Sequence, residues 1–254
     1  MSSRSRIFRM RFAIASLLLL LTGCQTPVTD IEIVPLDEGV WLHTSYYTYP
    51  SGSRFPSNGL IVRTGDSLLL IDTAWGELNT VQLLGAIDAQ LGLPVSHAVI
   101  THSHGDRIGG TDVLEAQGVT VYAHPVTRRL ALEYGMPVPD EILTGLTKPG
   151  STAKIQGLEF FYPGPGHTVD NLVAWLPEQR ILFGGCAVRA LAASSAGNLA
   201  HADLTNWSKI IDDLATRYTD ALTVVPGHGQ VGDQRLLAHT ARLIEAAQTV
   251  EHDN

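Results

Sequence analysis

The chain has 254 residues, of which 44% are apolar and 17% are charged, with 24 glycines and 13 prolines. This is the composition of a globular protein with many turns, and it excludes a disordered chain, a coiled coil and a collagen-like repeat. The formal net charge is −8, and residues 1–23 contribute four arginines and no acid, so the remainder carries 13 basic and 25 acidic residues. Nucleic-acid binding needs a basic surface, so no nucleic-acid partner is expected.

The N-terminal segment is typical of an export signal. Four arginines precede the mainly apolar residues 12–21, which as a helix would span roughly 15 Å, half of a bilayer core of about 30 Å. The run is too short to cross a membrane and fits the apolar part of a secretory signal. Residues 21–24, Leu-Thr-Gly-Cys, resemble a bacterial lipobox, which implies cleavage before Cys24 and a lipid on its thiol. The alternative is an ordinary signal peptide that is cleaved nearby, with Cys24 incidental.

The predicted organisation is a lipoprotein signal peptide over residues 1–23, a lipidated tether over 24–30 and one domain over 31–254. Gln25 follows the cysteine, and no aspartate stands there to hold the protein at the inner membrane. We therefore expect a periplasmic monomer that is anchored to the outer membrane only through Cys24. Cys186 is then the one remaining thiol, so no internal disulfide forms, and this residue is either a small buried hydrophobe or a metal ligand.

Apolar and β-branched runs predict strands, and apolar residues at helical spacing predict helices. The predicted strands are residues 40–48, 59–62, 67–72, 95–100, 119–123, 153–157, 158–162, 171–176, 181–183 and 222–225. The predicted helices are residues 77–91, 112–117, 126–134, 207–218 and 235–249, with a hairpin tip at 49–57 and a loop at 136–150. Because both kinds of element recur in both halves, the expected fold is a single α/β domain, a four-layer αββα sandwich.

A His-x-His-x-Asp motif follows the predicted strand 95–100. In extended chain, side chains two residues apart point the same way, with Cα atoms about 6.6 Å apart, so the imidazoles of His102 and His104 can bind one metal ion. Asp106 can face a neighbouring metal ion as the chain turns. The motif therefore predicts a metal site at the end of this strand.

Three more residues of metal-ligating type each follow a predicted strand in a glycine-containing loop: His167, Cys186 and His228. Glycine neighbours allow tight turns and close approach of the backbone. Each residue alone is more often structural, but four strand-end loops that all carry such side chains favour a metal centre on a rigid scaffold.

These six residues resemble the metal ligands of the metallo-β-lactamase superfamily, and within it those of subclass B1, over about residues 34–247. The resemblance implies two Zn²⁺ ions per chain, the first held by His102, His104 and His167 and the second by Asp106, Cys186 and His228. Most superfamily hydrolases have His where Arg107 stands and Asp where Cys186 stands, and subclass B2 lacks the first His. Residues 186–188 and 195–203 are most similar to the Verona integron-encoded group.

The activity that the resemblance implies is hydrolysis of the β-lactam amide bond in penicillins, cephalosporins and carbapenems, which confers antibiotic resistance. Two zinc ions about 3.5–4 Å apart can share a hydroxide and lower its pKa toward neutrality, and this hydroxide attacks the carbonyl carbon. Asp106 and Asn198 are the expected catalytic residues, Asn198 as a donor to the carbonyl oxygen.

The resemblance also implies residues that contact the substrate. Arg189 stands where many members have a Lys that holds the substrate carboxylate, and the alternative is that it points to solvent. Trp75 and Tyr47 are expected to line the pocket, with core packing and ordinary hairpin packing as the respective alternatives. Asn198 is assigned to substrate binding as well as to catalysis.

Three further residues are expected around the predicted ligands. Asp72 is expected either to support a ligand histidine or to cap a turn. Arg107 is expected to bond near Asp106 and Cys186, or else to lie at a solvated helix start. His201 stands where family members commonly carry Asp, and it is expected not to be a ligand.

Two other functions remain open at this point. One is hydrolysis of another amide, an ester or a lactone, as in other members of the superfamily. The other is a non-catalytic, zinc-binding lipoprotein. The six-residue ligand set together with Asn198 favours catalysis over binding alone.

Overall fold

The structure, a computed structural model, describes residues 30–252. The predicted signal peptide, the predicted lipidation site at Cys24 and residues 25–29 of the predicted tether lie outside the described residues. No helix in the described part of the chain is long and apolar enough to cross a membrane.

The first half of the chain forms a seven-stranded sheet in the order β1-β2-β3-β4-β5-β6-β7. Its strands are β1 (Ile31–Asp37), β2 (Val40–Thr48), β3 (Arg54–Thr64), β4 (Ser67–Ile71), β5 (Val95–Ile100), β6 (Thr120–Ala123) and β7 (Glu141–Ile142). Pairing is antiparallel from β1 to β4 and parallel from β4 to β7.

The second half forms a five-stranded sheet in the order β12-β11-β10-β9-β8. Its strands are β8 (Ser151–Ile155), β9 (Leu158–Tyr162), β10 (Val173–Leu176), β11 (Ile181–Gly185) and β12 (Thr223–Pro226). Because β9 and β11 are both antiparallel to β10, and β12 is parallel to β11, the strands β9, β11 and β12 all run the same way.

In the part of the chain that the structure describes, six helices accompany the sheets: α1 (Gly76–Leu91), α2 (Gly105–Ile108), α3 (Thr111–Ala116), α4 (Pro125–Tyr134), α5 (Leu204–Arg217) and α6 (Arg235–His252). Alternation along β4 shows how the layers stack, because successive strand side chains point to opposite faces. Leu69 and Ile71 belong to the core between the two sheets, whereas Leu68 and Leu70 pack with Leu83 of α1. The second sheet is covered in the same way by α5 and α6. The predicted four-layer αββα sandwich is therefore confirmed.

Several elements differ from the sequence-based prediction. Strand β1 was not predicted, and β7 lies inside the predicted loop at 136–150. Strand β3 begins at Arg54, so the hairpin turn is confined to residues 49–53, and Tyr47 pairs with Phe55 across it. Helix α5 begins three residues earlier than predicted, because the Asp203 side chain accepts a hydrogen bond from the Asn206 backbone N–H (2.9 Å) and caps it.

The strand directions bring chemically important loops to one edge of the sandwich. In parallel sheets, loops that follow the carboxyl ends of the strands share one edge. The loop after β5 carries His102, His104 and Asp106, and the loops after β9, β11 and β12 carry His167, Cys186 and His228. The fold therefore assembles residues separated by up to 126 positions into one site.

Candidate metal centre

The first donor group consists of three histidine rings that face one another nearly at right angles. Ring centroids lie 4.7 Å apart for His102 and His104, and 5.2 Å apart from His167 to each of them, with interplanar angles between 76° and 87°. One nitrogen from each ring lies within 4.8 Å of the other two. Three rings in this arrangement present lone pairs to a common point.

The protonation and the hydrogen bonding of this group fit a metal ion. Both nitrogens of His102 and Nδ1 of His167 are buried, and within residues 30–252 they have no hydrogen-bond partner. Burial lowers the pKa of His102 well below its usual value and that of His167 to about 3, so both rings are neutral. Buried polar atoms are rarely left without partners, and neutral imidazole is the form that binds metals.

The second donor group consists of Asp106, Cys186 and His228. Cys186 Sγ lies 3.3 Å from His228 Nε2 and 3.6 Å from Asp106 Oδ2, and His228 Nε2 lies 3.3 Å from the same Asp106 oxygen. His228 Nδ1 donates to the Pro56 carbonyl at 2.6 Å, which leaves Nε2 as the nitrogen that faces the group. A backbone acceptor of this kind fixes the tautomer of a metal-binding histidine.

The thiol of Cys186 is placed by glycine. A Cβ atom at Gly227 would lie 2.7 Å from both the sulfur and the backbone nitrogen of Cys186, so only glycine fits beside it. Burial raises the pKa of this thiol, and the nearby Arg107 opposes that effect. Since burial disfavours the thiolate that binds metals, a metal ion next to the sulfur would favour loss of the proton.

Arg107 is fully buried beside the second group. Its Nε lies 2.9 Å from Asp106 Oδ2, an ion pair in which the N–H is not aligned as a hydrogen bond. Its Nη1 donates to the Asn58 carbonyl and its Nη2 to the Gly227 carbonyl (2.7 Å). Burial alone would favour the neutral acid, but Arg107 and then His228 outweigh it and hold the pKa of Asp106 well below its usual value. The expected contact between Arg107 and Asp106 is present, and Asp106 is ionised.

Asp72 does not support a ligand histidine in this structure. Its two carboxylate oxygens accept hydrogen bonds from the Thr101 backbone N–H (2.7 Å) and hydroxyl (2.8 Å), and Oδ2 lies 3.4 Å from Arg107 Nη1. Burial raises its pKa to about 6, against the opposing effects of Arg107 and Thr101. Asp72 therefore fixes the start of the loop that carries His102, rather than a ring nitrogen.

Both donor groups open into one cavity of about 600 Å³, a size typical of ligand sites. Trp75, Tyr49 and Phe55 form one wall. Tyr47 lies one ring further out: its ring centroid is 5.1 Å from Trp75 and 4.9 Å from Tyr49, and it does not line the cavity. The cross-strand pair Tyr47–Phe55 thus has one member at the cavity and the other behind Trp75.

Arg189 and Asn198 form the polar end of the cavity. Within the described part of the chain, Arg189 makes no ion pair, and its buried Nε has no hydrogen-bond partner. Its guanidinium packs against Gly197, where a Cβ atom would lie 3.0–3.1 Å from the guanidinium atoms. The Asn198 side-chain oxygen accepts from the Ala200 N–H (3.0 Å), which leaves the amide nitrogen as the donor toward the cavity. The structure thus places both residues at the cavity into which the donor groups open, and their predicted contacts with a substrate stay predictions.

Two contacts of the site were not predicted from the sequence. His201 contacts His104, with its Nδ1 at 2.9 Å from His104 Nε2. Asn58 joins β3 to the loop after β12, because its amide nitrogen donates to the carbonyls of Pro226 (3.0 Å) and Gly229 (2.7 Å). A local sequence pattern does not reveal these contacts, because each joins two residues that are at least 97 positions apart.

Comparison with known proteins agrees with this geometry. The profile of the Metallo-beta-lactamase superfamily matches residues 52–228. The chain belongs to the metallo-β-lactamase superfamily. A "Metallo-beta-lactamase type 2" from Bacillus cereus is 40% identical over 217 residues, which cover 85% of this chain and 83% of the relative.

Solved metallo-β-lactamase structures share the fold. FIM-1 from Pseudomonas aeruginosa, solved in a mono-zinc form, is 39% identical with a TM-score of 0.82, covering 85% of this chain and 96% of that one. The metallo-β-lactamase from Pontibacter korlensis is 45% identical with a TM-score of 0.78, covering 85% and 99%. As a member of the metallo-β-lactamase superfamily the chain is a metal-binding hydrolase, whereas the narrower likeness to the Verona integron-encoded group stays a prediction.

Replacing Gly227 with alanine should disturb the second donor group selectively. The new methyl group would have to displace the sulfur and backbone of Cys186, so we expect weaker metal binding by Asp106, Cys186 and His228, and a loss of about 1–3 kcal/mol in the free energy of unfolding. Titration with Co²⁺ measures this, because thiolate-to-cobalt absorption reports on Cys186. Gly85→Ala is the matched control, since its Cβ in the exposed face of α1 meets nothing within 4 Å. Unchanged thiolate absorption in Gly227→Ala would contradict the steric argument.

Proposed function

We propose that this chain hydrolyses the amide bond of β-lactam antibiotics with two zinc ions, as a subclass B1 metallo-β-lactamase, and so confers resistance. The observation that carries the proposal is the cavity itself. Two three-residue donor groups open into it, with an unpaired guanidinium and an amide donor at one end and aromatic rings along one wall.

The donor set favours zinc over other divalent ions. Imidazole, thiolate and a single carboxylate suit Zn²⁺, whereas Mg²⁺ and Ca²⁺ take oxygen ligands. His102, His104 and His167 would hold one ion, and Asp106, Cys186 and His228 the other. When bound, a pair of zinc ions supplies Lewis acidity and lowers the pKa of water toward neutrality.

The polar end of the cavity fits the reacting part of a β-lactam. Most β-lactam classes carry a carboxylate next to the ring nitrogen, and Arg189 would grip it with two parallel N–H bonds. Asn198 would donate its amide N–H to the carbonyl oxygen as negative charge develops there, which is a modest oxyanion contribution. The aromatic wall would contact apolar substituents.

Asp106 would orient the attacking water. Its carboxylate stays ionised because Arg107 and His228 hold its pKa below the usual value, so it is a weak base that can still accept a hydrogen bond. We therefore assign it to holding the water through an accepted hydrogen bond, rather than to removing a proton from it.

Metal removal provides the first test of this function. Hydrolysis of a chromogenic cephalosporin should be abolished by a chelator and restored by Zn²⁺, and native mass spectrometry should count two zinc ions per chain. Cys186→Ser should keep one ion and lose the other, because thiolate is the strong, soft ligand of the second group. A single zinc ion in excess metal would contradict the dizinc proposal. Hydrolysis of esters or lactones alone would identify another superfamily hydrolase, and no hydrolysis at all would identify a zinc-binding lipoprotein.

Removal of the guanidinium provides the second test. Arg189→Ala should raise KM for penicillins and carbapenems roughly tenfold or more, because losing a charge-assisted hydrogen bond costs about 1.5–3 kcal/mol. Arg189→Lys should recover much of this loss, and neither change should alter zinc content. Arg63→Ala, which removes an exposed guanidinium elsewhere, is the control. If Arg189→Ala keeps the wild-type KM for both classes, Arg189 does not bind the substrate carboxylate.

We also propose that the protein acts as a monomer in the periplasm, anchored to the outer membrane through lipid on Cys24. All six donors, Arg189 and Asn198 come from one chain, which supports the monomer. The lipobox-like residues 21–24 support the anchor.

The two cysteines provide a matched test of the anchor. Cys24→Ser should release active enzyme into the soluble periplasmic fraction, since each buried CH₂ of a lipid contributes about 0.8 kcal/mol to membrane binding. Cys186→Ser should leave the protein in the membrane fraction while it loses one of its two zinc ions. Cell fractionation and immunoblotting measure both. A wild-type protein found wholly in the soluble periplasmic fraction would contradict the anchor.

A further inference from the structure

His201 reaches the three-histidine group from outside the metal centre. It lies in the segment between β11 and α5, two residues before Asp203, which caps α5. Its Nδ1 is 2.9 Å from Nε2 of His104, and the two ring centroids are 5.2 Å apart. His201 is therefore close enough to share a hydrogen with a metal-binding residue without belonging to either donor group.

The ring of His201 is held from another side by Tyr134. The two rings are stacked, with centroids 5.2 Å apart and an interplanar angle of 11°. Tyr134 is the last residue of α4, and Gly135 ends that helix in a left-handed conformation (φ 65°). The C-terminal end of α4 and the segment before α5 thus fix the ring plane of His201.

This contact has a definite consequence for the proton on His104. In a neutral imidazole, one nitrogen donates and the other accepts. With Nε2 of His104 directed at His201, Nδ1 is the nitrogen left for a metal, and a metal on Nδ1 requires the proton to be on Nε2. His201 Nδ1 is the acceptor that this proton needs.

We propose that His201, supported by Tyr134, is a positioning residue of the first metal site. It accepts a hydrogen bond from Nε2–H of His104 and so holds His104 in the tautomer and orientation that present Nδ1 to the metal. The inference rests on metal occupancy of the three-histidine group and does not depend on which substrate is hydrolysed.

Stereochemistry gives a sharp set of variants. The side-chain oxygen of Asn and the Nδ1 of His are both bonded to Cγ, so His201→Asn keeps an acceptor at the same place. His201→Gln moves the acceptor one bond further out, and His201→Ala removes it. His201→Asp keeps the position and adds a negative charge next to His104.

The experiment measures metal affinity of the whole chain without substrate. Chelator competition with Zn²⁺ and with Co²⁺ gives one dissociation constant for each of the two metal sites. Thiolate-to-cobalt absorption shows which of the two constants belongs to the site that contains Cys186. We expect His201→Ala and His201→Gln to weaken the three-histidine site by about 10- to 100-fold, the usual effect of losing such a partner. His201→Asn should restore affinity to near wild type, and His201→Asp should bind at least as tightly as wild type. Affinity at the Cys186 site should not change.

Three further measurements separate positioning from packing. Tyr134→Phe should keep wild-type affinity, and Tyr134→Ala should weaken the three-histidine site about 2- to 10-fold. His97→Ala, which removes a histidine of β5 that belongs to neither donor group, should change neither site. In ¹⁵N-histidine spectra of the zinc-loaded protein, the His104 Nε2–H signal should be protected from exchange in wild type and lost in His201→Ala.

The inference is overturned if His201→Ala leaves the three-histidine affinity unchanged, or if His201→Gln restores it as well as His201→Asn does. Melting temperatures of the metal-free variants show whether a loss of affinity comes from unfolding. Recovery of affinity in His201→Asn identifies the lost acceptor as the cause, because this variant keeps an acceptor and removes the ring. Because no β-lactam is used, failure of this inference is separate from failure of the proposed activity.

Discussion

The buried guanidinium of Arg107 is the constraint on which the metal centre depends. A buried charge is tolerated only with compensating partners, and removing one partner of a buried ion pair costs about 3–5 kcal/mol. Arg107 meets this requirement with Asp106, with the Asn58 carbonyl of the first sheet and with the Gly227 carbonyl that follows the second sheet. Neutralising one charge therefore ties both sheets together at the edge where the donor residues gather.

The two donor groups differ in charge and in the protons that metal binding would displace. The three-histidine group is neutral, and burial lowers the pKa of its rings, so it offers lone pairs without protons to remove. The second group contains a carboxylate and a thiol, and Arg107 partly offsets the charge of Asp106. A metal ion is then needed to stabilise the thiolate of Cys186, because burial alone keeps the proton on sulfur. The second group is accordingly the one whose metal content a change at Cys186 or Gly227 alters first.

The sequence predicted most of the scaffold and all six donor residues, and the reasons for the failures are physical. Strand-end position is visible in sequence, because an apolar run that stops at His or Cys marks both the strand and the loop. Strand β1 was missed because it is an edge strand in which four of the seven residues are exposed and Pro35 interrupts the apolar pattern. The support of His104 by His201 and of the β12 loop by Asn58 was missed because such contacts depend on tertiary packing. Tyr47 was placed at the cavity on family likeness, yet its ring packs against Trp75 and Tyr49, and Tyr49 and Phe55 line the cavity.

The two arginines beside the second donor group differ in burial and in ion pairing. Arg107 is fully buried, and protein oxygens surround its guanidinium. Arg189 is only partly buried, and none of the described carboxylates forms an ion pair with it. A guanidinium keeps its charge in a protein, so Arg189 is available to pair with an anion that enters the cavity. Gly197 supplies the room for that guanidinium, because a side chain there would displace it. In the proposed function, the carboxylate of the substrate would pair with this guanidinium next to the metal centre.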